Sequence, residues 1–145
     1  MQPNPPSHRT ITIAAAIIWR AGHILLVQRP AEAELGGLWE FPGGKLEPGE
    51  TAPAALVREL REELDIAVAV GDLYHTTTYL HPDGLQVRLY FYTCDWPVGA
   101  LRLLWGQAYR WVAPADLPSY PVPAADAEVV TRLADLTPPP PSLRR

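Results

Sequence analysis

Seven of the 16 acidic residues fall between Glu40 and Asp65, and the segment that gathers them has room for one kind of structure. Over Thr51–Leu64 the apolar residues recur at helical spacing. At about 100° per residue, Ala55, Glu59, Glu62 and Glu63 project within one arc. Leu56, Val57, Leu60 and Leu64 fill the adjoining apolar arc, and Arg58 and Arg61 take the third. Such a helix must bury one stripe and present carboxylates beside it. Thr51 suits the N-cap, and Pro53 is tolerated in the first turn, where its missing N–H has no intrahelical partner anyway. The like-charge spacings Glu59/Glu63 and Glu59/Glu62 each cost a few tenths of a kcal/mol. The plain alternative is a solvated helix face, but the acidic arc borders the apolar one and so lies at a groove edge. Clustered hard oxygen donors in a groove suit Mg²⁺ or Mn²⁺, which in turn carry phosphates.

The loop before the helix points the same way. Gly43-Gly44 permits close backbone approach, so a bare Gly44 carbonyl can face the same cation. Pro42, Pro48 and Gly49 shape the loop, and Glu50 returns another carboxylate to it.

The rest of the chain predicts strands. Thr10–Trp19 and Ile24–Arg29 read as two strands joined at Ala21-Gly22-His23. The first is β-branched, which sets it apart from a signal peptide. Pro30–Glu50 reads as one long loop. Ala67–Leu73, Tyr74–His81 and Gln86–Cys94 read as strands, the last two joined at the turn Pro82-Asp83-Gly84. Ala108–Val112 is a short strand, Pro114–Leu117 a turn or 3₁₀ piece, and Ala125–Leu136 a second helix. Two helices far apart among long strands indicate an α+β fold, a mixed sheet between helices. The expected organisation is a tail over 1–9, one domain over 10–136 and a proline-rich tail over 137–145. Of the 17 prolines, three lie in Met1–His8 and four in Pro138–Pro141, and most of the others shape loops between elements.

Several function classes drop out. A net charge of −4 speaks against binding nucleic-acid polymers or anionic membranes. A single cysteine, Cys94, rules out an intrachain disulfide scaffold, and no apolar run reaches the ~18–20 residues of a membrane span. The expectation is a cytoplasmic protein, monomer or homodimer. His8, His23, His75 and His81 form no metal-ligand spacing. Tyr90-Phe91-Tyr92 reads as sheet rather than as a nucleic-acid platform.

Gly44-Lys-Leu-Glu-Pro-Gly-Glu50, seven residues, and then Arg58-Glu59-Leu60-Arg61-Glu62-Glu63-Leu64-Asp65-Ile66 resemble the Nudix box. One position departs: Asp65 stands where that family has glycine. It follows the helix, where a left-handed conformation is usual, and Asp tolerates that region better than most residues. Leu38-Trp-Glu-Phe-Pro-Gly-Gly44 and Trp111-Val112…Tyr120-Pro-Val-Pro-Ala-Ala-Asp126 resemble the MutT branch.

The resemblance implies Mg²⁺-dependent hydrolysis of a nucleoside triphosphate to monophosphate and pyrophosphate, with Mn²⁺ as a possible substitute. 8-oxo-dGTP is the leading substrate, with CTP or a modified dCTP as the alternative. By matching position, Gly44, Glu59 and Glu63 bind metal, and Glu62 and Glu50 are additional ligands. Glu59 is the first choice for general base, and Arg58 orients Glu62 or the loop. On the substrate side the resemblance brings in Arg29, Glu40, Phe41 and Asp126. Asp126 matches a base-reading position and equally suits the N-cap of the last helix. Trp105 replaces an acidic residue often found beside a Gly-Gln matching Gly106-Gln107. That leaves open a different metal affinity or base assignment, stacking on the base, plain loop packing, or a catalytically idle nucleotide-sensing domain.

Overall fold

The computed structural model describes residues 9–96 and 99–136. The chain forms β1 (Thr10–Arg20), β2 (His23–Gln28), β3 (Trp39–Glu40), β4 (Gly43–Lys45), α1 (Ala52–Leu64), β5 (Ala69–Leu80), β6 (Gln86–Asp95) and β7 (Ala108–Val112). Two 3₁₀ segments, Pro114–Ser119 and Ala124–Asp126, lead into α2 (Ala127–Ala134). All seven strands join one mixed sheet, in which β1 pairs parallel to β6 and antiparallel to β2 and β4.

β1 explains how the sheet is sandwiched. Ala14 through Trp19 are all buried, so the strand reads as a continuous apolar run because both of its faces are covered. Ala14, Ala16 and Ile18 pack with Leu25 and Val27 under Leu56, Leu60 and Leu64 of α1. Ala15, Ile17 and Trp19 pack with Leu26, Phe41 and Phe91 under Leu117, Val129, Val130 and Leu133. Each fully buried Leu or Ile contributes roughly 1.5–3 kcal/mol through removal of apolar surface from water. The α+β expectation therefore holds, with one helix on each face.

The structure corrects four local readings. The loop over Pro30–Glu50 contains the short strands β3 and β4, whose two or three residues are too few to show a period. The two strands drawn over Ala67–His81 are one strand, β5, whose alternation is broken by irregularities between Val70 and Leu73 and between Leu73 and His75. The second helix is shorter than Ala125–Leu136, because its start is taken by the 3₁₀ turn. Val57, placed in the apolar arc, is 43% exposed; Ala55 takes the buried position instead. The expected tails over 1–9 and 137–145 lie outside the described residues, Arg9 apart.

α1 ends as the sequence requires. Thr51 Oγ1 accepts from the Ala54 N–H at 3.2 Å. Asp65 has φ 54°, and its N–H donates to the Arg61 carbonyl at 3.1 Å while Ile66 N–H reaches back to Leu60. The bond from Asp65 to Arg61 is the 5→1 closure of a left-handed helix cap, which glycine adopts at least cost. Asp65→Gly is expected to raise stability by about 0.5–1 kcal/mol, read from urea unfolding. A loss would show that the exposed Asp65–Arg102 pair, 3.6 Å apart, outweighs the backbone strain.

Candidate active site

The site is built where β4 lies against α1. β4 pairs with β1 through Ala15↔Gly43 and Ala14↔Gly44, which fixes the loop to the centre of the sheet. Gly43 has φ +153°, and a side chain there would strike the β1 backbone. A Cβ on Gly44 would fall onto the Glu59 carboxyl group. The two glycines are thus required by close approach, one to the sheet and one to the helix.

Arg58 ties the loop to the helix. Its Nε and Nη2 donate to the two Glu50 oxygens at 2.7 and 2.8 Å, and Nη2 also donates to the Lys45 carbonyl at 3.1 Å. Nη1 reaches Glu59 at 3.0 Å and Glu62 at 3.3 Å. The Arg58 hydrogen bonds, helped by the Glu47 N–H, hold the Glu50 carboxyl down at about 2. Sequence reasoning offered Arg58 as the partner of Glu62 or the loop. The structure gives it both, with the loop residue Glu50 held most tightly.

Glu59 and Glu63 form a different kind of pair. Glu63 is pushed up to about 9, first by burial and then by its hydrogen bond to Glu59 and the charges of Glu59, Glu40 and Glu62. Two carboxylates this close cannot both ionise in a poorly hydrated site without a cation between them. Burial and like charge thus both favour the protonated form of Glu63 when no cation is bound. Glu62 stands apart, with its side chain 58% exposed. Among the described residues no three Asp, Glu, His or Cys side chains converge at ligand spacing. The fit to a hard divalent cation rests on the Glu59–Glu63 pair and on the Gly44 backbone that a Cβ would displace.

The remaining predicted residues form a second group. Arg29 Nη1 donates to both Glu40 oxygens at 3.0 and 3.2 Å, and its Nε donates to the Glu34 carbonyl at 2.7 Å. Burial raises the Glu40 carboxyl, and Arg29 partly offsets this. Phe41 is a core residue, 4% exposed and edge-on to Phe91 at 5.8 Å. Asp126 is the one polar or charged residue fully buried among the described residues. It sits at the N-cap position of α2 yet makes no capping hydrogen bond. Burial, then the charge of Glu40, push it up to about 7, against the pull of the Phe41 backbone N–H.

Sequence reasoning missed two links. Trp105 lies under the Arg29 guanidinium, 5.4 Å from ring centroid to Cζ, and the Lys45 carbonyl is a partner of Arg58. Neither has a sequence signal, since each joins segments that only the fold brings together. Cys94 behaves as read: it is buried, and its thiol is pushed up to about 12 by desolvation.

This constellation on this fold defines a hydrolase of the Nudix type. The NUDIX domain family matches residues 14–132, and the chain belongs to it. Within the family it is 43% identical to the CTP pyrophosphohydrolase of Escherichia coli K12 over 118 residues, 81% of this chain and 87% of the relative. It is 33% identical to the 8-oxo-dGTP diphosphatase of the same organism over 129 residues, 88% of this chain and 99% of the relative. Among solved structures, the E. coli ORF135 protein superposes with a TM-score of 0.79 at 38% identity, covering 97% of this chain and 99% of that one. A MutT Nudix hydrolase from Burkholderia pseudomallei gives 0.75 at 29% identity, covering 85% and 97%. Nudix hydrolases generally need a divalent metal, and no helix among the described residues is long and apolar enough to cross a membrane.

The Asp126 shift has a definite sign. The folded protein holds this proton more tightly than the unfolded chain, so ionisation opposes folding. The contribution is fully present below about pH 4, is lost as pH rises to about 7, and is flat above. Asp126→Asn cannot ionise. Its melting temperature relative to wild type should climb by several degrees between pH 4 and pH 8, read by thermal melts across pH. A pH-independent difference would place Asp126 in contact with solvent.

Proposed function

We propose that this chain is a Mg²⁺-dependent nucleoside triphosphate pyrophosphohydrolase that releases a nucleoside monophosphate and pyrophosphate. The observation that carries the reading is the Glu59 carboxyl group against the Gly44 backbone, beside the largely buried Glu63, where a divalent cation would neutralise the gathered negative charge. Gly44, Glu59 and Glu63 would hold the metal, with Glu62 and Glu50 as further ligands. Glu50 reaches that role only by giving up part of its pairing with Arg58. When bound, Mg²⁺ neutralises phosphate oxygens and orients the triphosphate. Glu59 accepts the proton of the attacking water. The water oxygen bonds to a phosphorus of the α–β anhydride, and the bridging P–O bond breaks, which leaves pyrophosphate intact. Arg58 keeps the loop and Glu59 in place.

The nucleoside end would lie toward Arg29, Glu40, the Phe41 backbone and Asp126. A neutral Asp126 both donates and accepts, as an oxidised guanine edge requires, so 8-oxo-dGTP is the leading substrate. A specific observation favours a second reading, CTP or a modified dCTP. Ionised Asp126 accepts from a cytosine amino group, and the CTP pyrophosphohydrolase relative is 43% identical. An acidic side chain at this position is a choice between the two that pH itself can tip.

Purified protein with Mg²⁺ should release pyrophosphate and no orthophosphate, and Glu59→Gln should lower turnover by about 10²-fold or more. Orthophosphate as the product rejects the reaction; near-normal turnover of the variant removes Glu59 as base. Across a panel of normal and oxidised nucleotides, Asp126→Asn should reorder the preferred substrates. An unchanged order means that Asp126 does not read the base.

A further inference from the structure

Trp105 stands where the family pattern leads one to expect an acidic residue, and its backbone and side chain touch different parts of the site. The N–H groups of Leu104 and Trp105 both donate to the Glu63 carbonyl, at 2.8 and 3.2 Å, and Arg102 N–H donates to the Leu64 carbonyl at 3.0 Å. These last-turn carbonyls have no partner within α1. The loop is therefore fastened to the turn that carries Glu63. At its other end Gly106, with φ +93°, lies against Val27 and the Gln28 backbone, where a Cβ would clash. Gln107 N–H donates to the Gln28 carbonyl at 3.0 Å, and its side-chain oxygen accepts from the Ala31 N–H at 3.1 Å. Both ends being pinned, the indole has a fixed place.

The Arg29 guanidinium lies over that indole while bonding to Glu40 and the Glu34 carbonyl. The aromatic face restricts a long side chain that otherwise samples many rotamers, and attracts its charge. We propose that Trp105 is a positioning residue: its indole holds Arg29 on Glu40 and keeps this nucleoside-side ion pair in register with the carboxylate pair of α1. An acidic side chain at this position would compete with Glu40 for Arg29 and add negative charge beside Glu63; the indole does neither.

The proposal rests on reading Arg29 and Glu40 as substrate-side residues, and two measurements keep it separable from that reading. In steady-state kinetics with the preferred nucleoside triphosphate, Trp105→Leu should lose about tenfold in kcat/KM, carried by KM. Trp105→Phe should lose no more than about threefold, with the Mg²⁺ half-saturation unchanged in both. Trp105→Leu combined with Arg29→Ala should be no worse than Arg29→Ala alone, because the two act through one group. In NMR of the nucleotide-free protein, the Arg29 Nε–H should exchange slowly with solvent in wild type and Trp105→Phe, and fast in Trp105→Leu.

Equal losses in the two Trp105 variants, an additive double variant, or a loss carried by Mg²⁺ dependence overturns the proposal. So does a wild-type Arg29 Nε–H that exchanges like that of free arginine, which decides the matter even if Trp105→Leu does not fold. If wild type hydrolyses no nucleoside triphosphate, the reading of the site fails, while the exchange measurement still decides the role of Trp105.

Discussion

The contact between the Gly44 backbone and the Glu59 carboxyl group organises this molecule. It requires a residue without a Cβ on β4, a helix close enough for its carboxylate to touch the strand, and a sheet that fixes the strand. The apolar stripe Leu56, Leu60 and Leu64 supplies the closeness, since burying it draws α1 onto Ala14, Ala16 and Ile18. Arg58 then locks the arrangement by bridging Glu50 and the Lys45 carbonyl on the loop to Glu59 on the helix. A single guanidinium with five donors in a fixed fork does this; a lysine, a compact point charge, would not.

Electrostatics joins the two halves of the site. Glu63 and Asp126 both hold protons more tightly than ordinary carboxyls, and burial is the first cause in each case. Glu40 contributes to both shifts, so it lies electrically between the α1 carboxylates and the buried Asp126. Its counter-ion Arg29 is therefore placed where one cation moderates both ends. The net charge of −4 reads differently in this light. Much of it is concentrated at one site, which lets an acidic protein serve the proposed divalent cation and its phosphates.

The sequence made part of this legible. α1, its cap at Thr51 and its left-handed end at Asp65 follow from periodicity and capping chemistry, which are local. The two-sided burial of β1 shows in its unbroken apolar run. What stayed hidden depends on long-range pairing. β3 and β4 are too short to carry a period, and β5 hides its continuity behind an irregular register. The ion pair of Arg29 with Glu40 spans 11 residues of chain, and the stack with Trp105 links two loops 76 positions apart. Periodicity set Glu62 in one arc with Glu59 and Glu63, and only the fold separates them: the Glu62 side chain is 58% exposed, that of Glu59 17%.

The central claim is that Glu59 and Glu63 together hold a divalent cation. Mn²⁺ titration followed by electron paramagnetic resonance tests it without any assumption about substrate. Wild-type protein should bind Mn²⁺ in competition with Mg²⁺, and Glu63→Gln should weaken that binding by about tenfold or more. Unchanged Mn²⁺ affinity in Glu63→Gln would contradict the account and leave the pair as a buried hydrogen bond with no metal to hold.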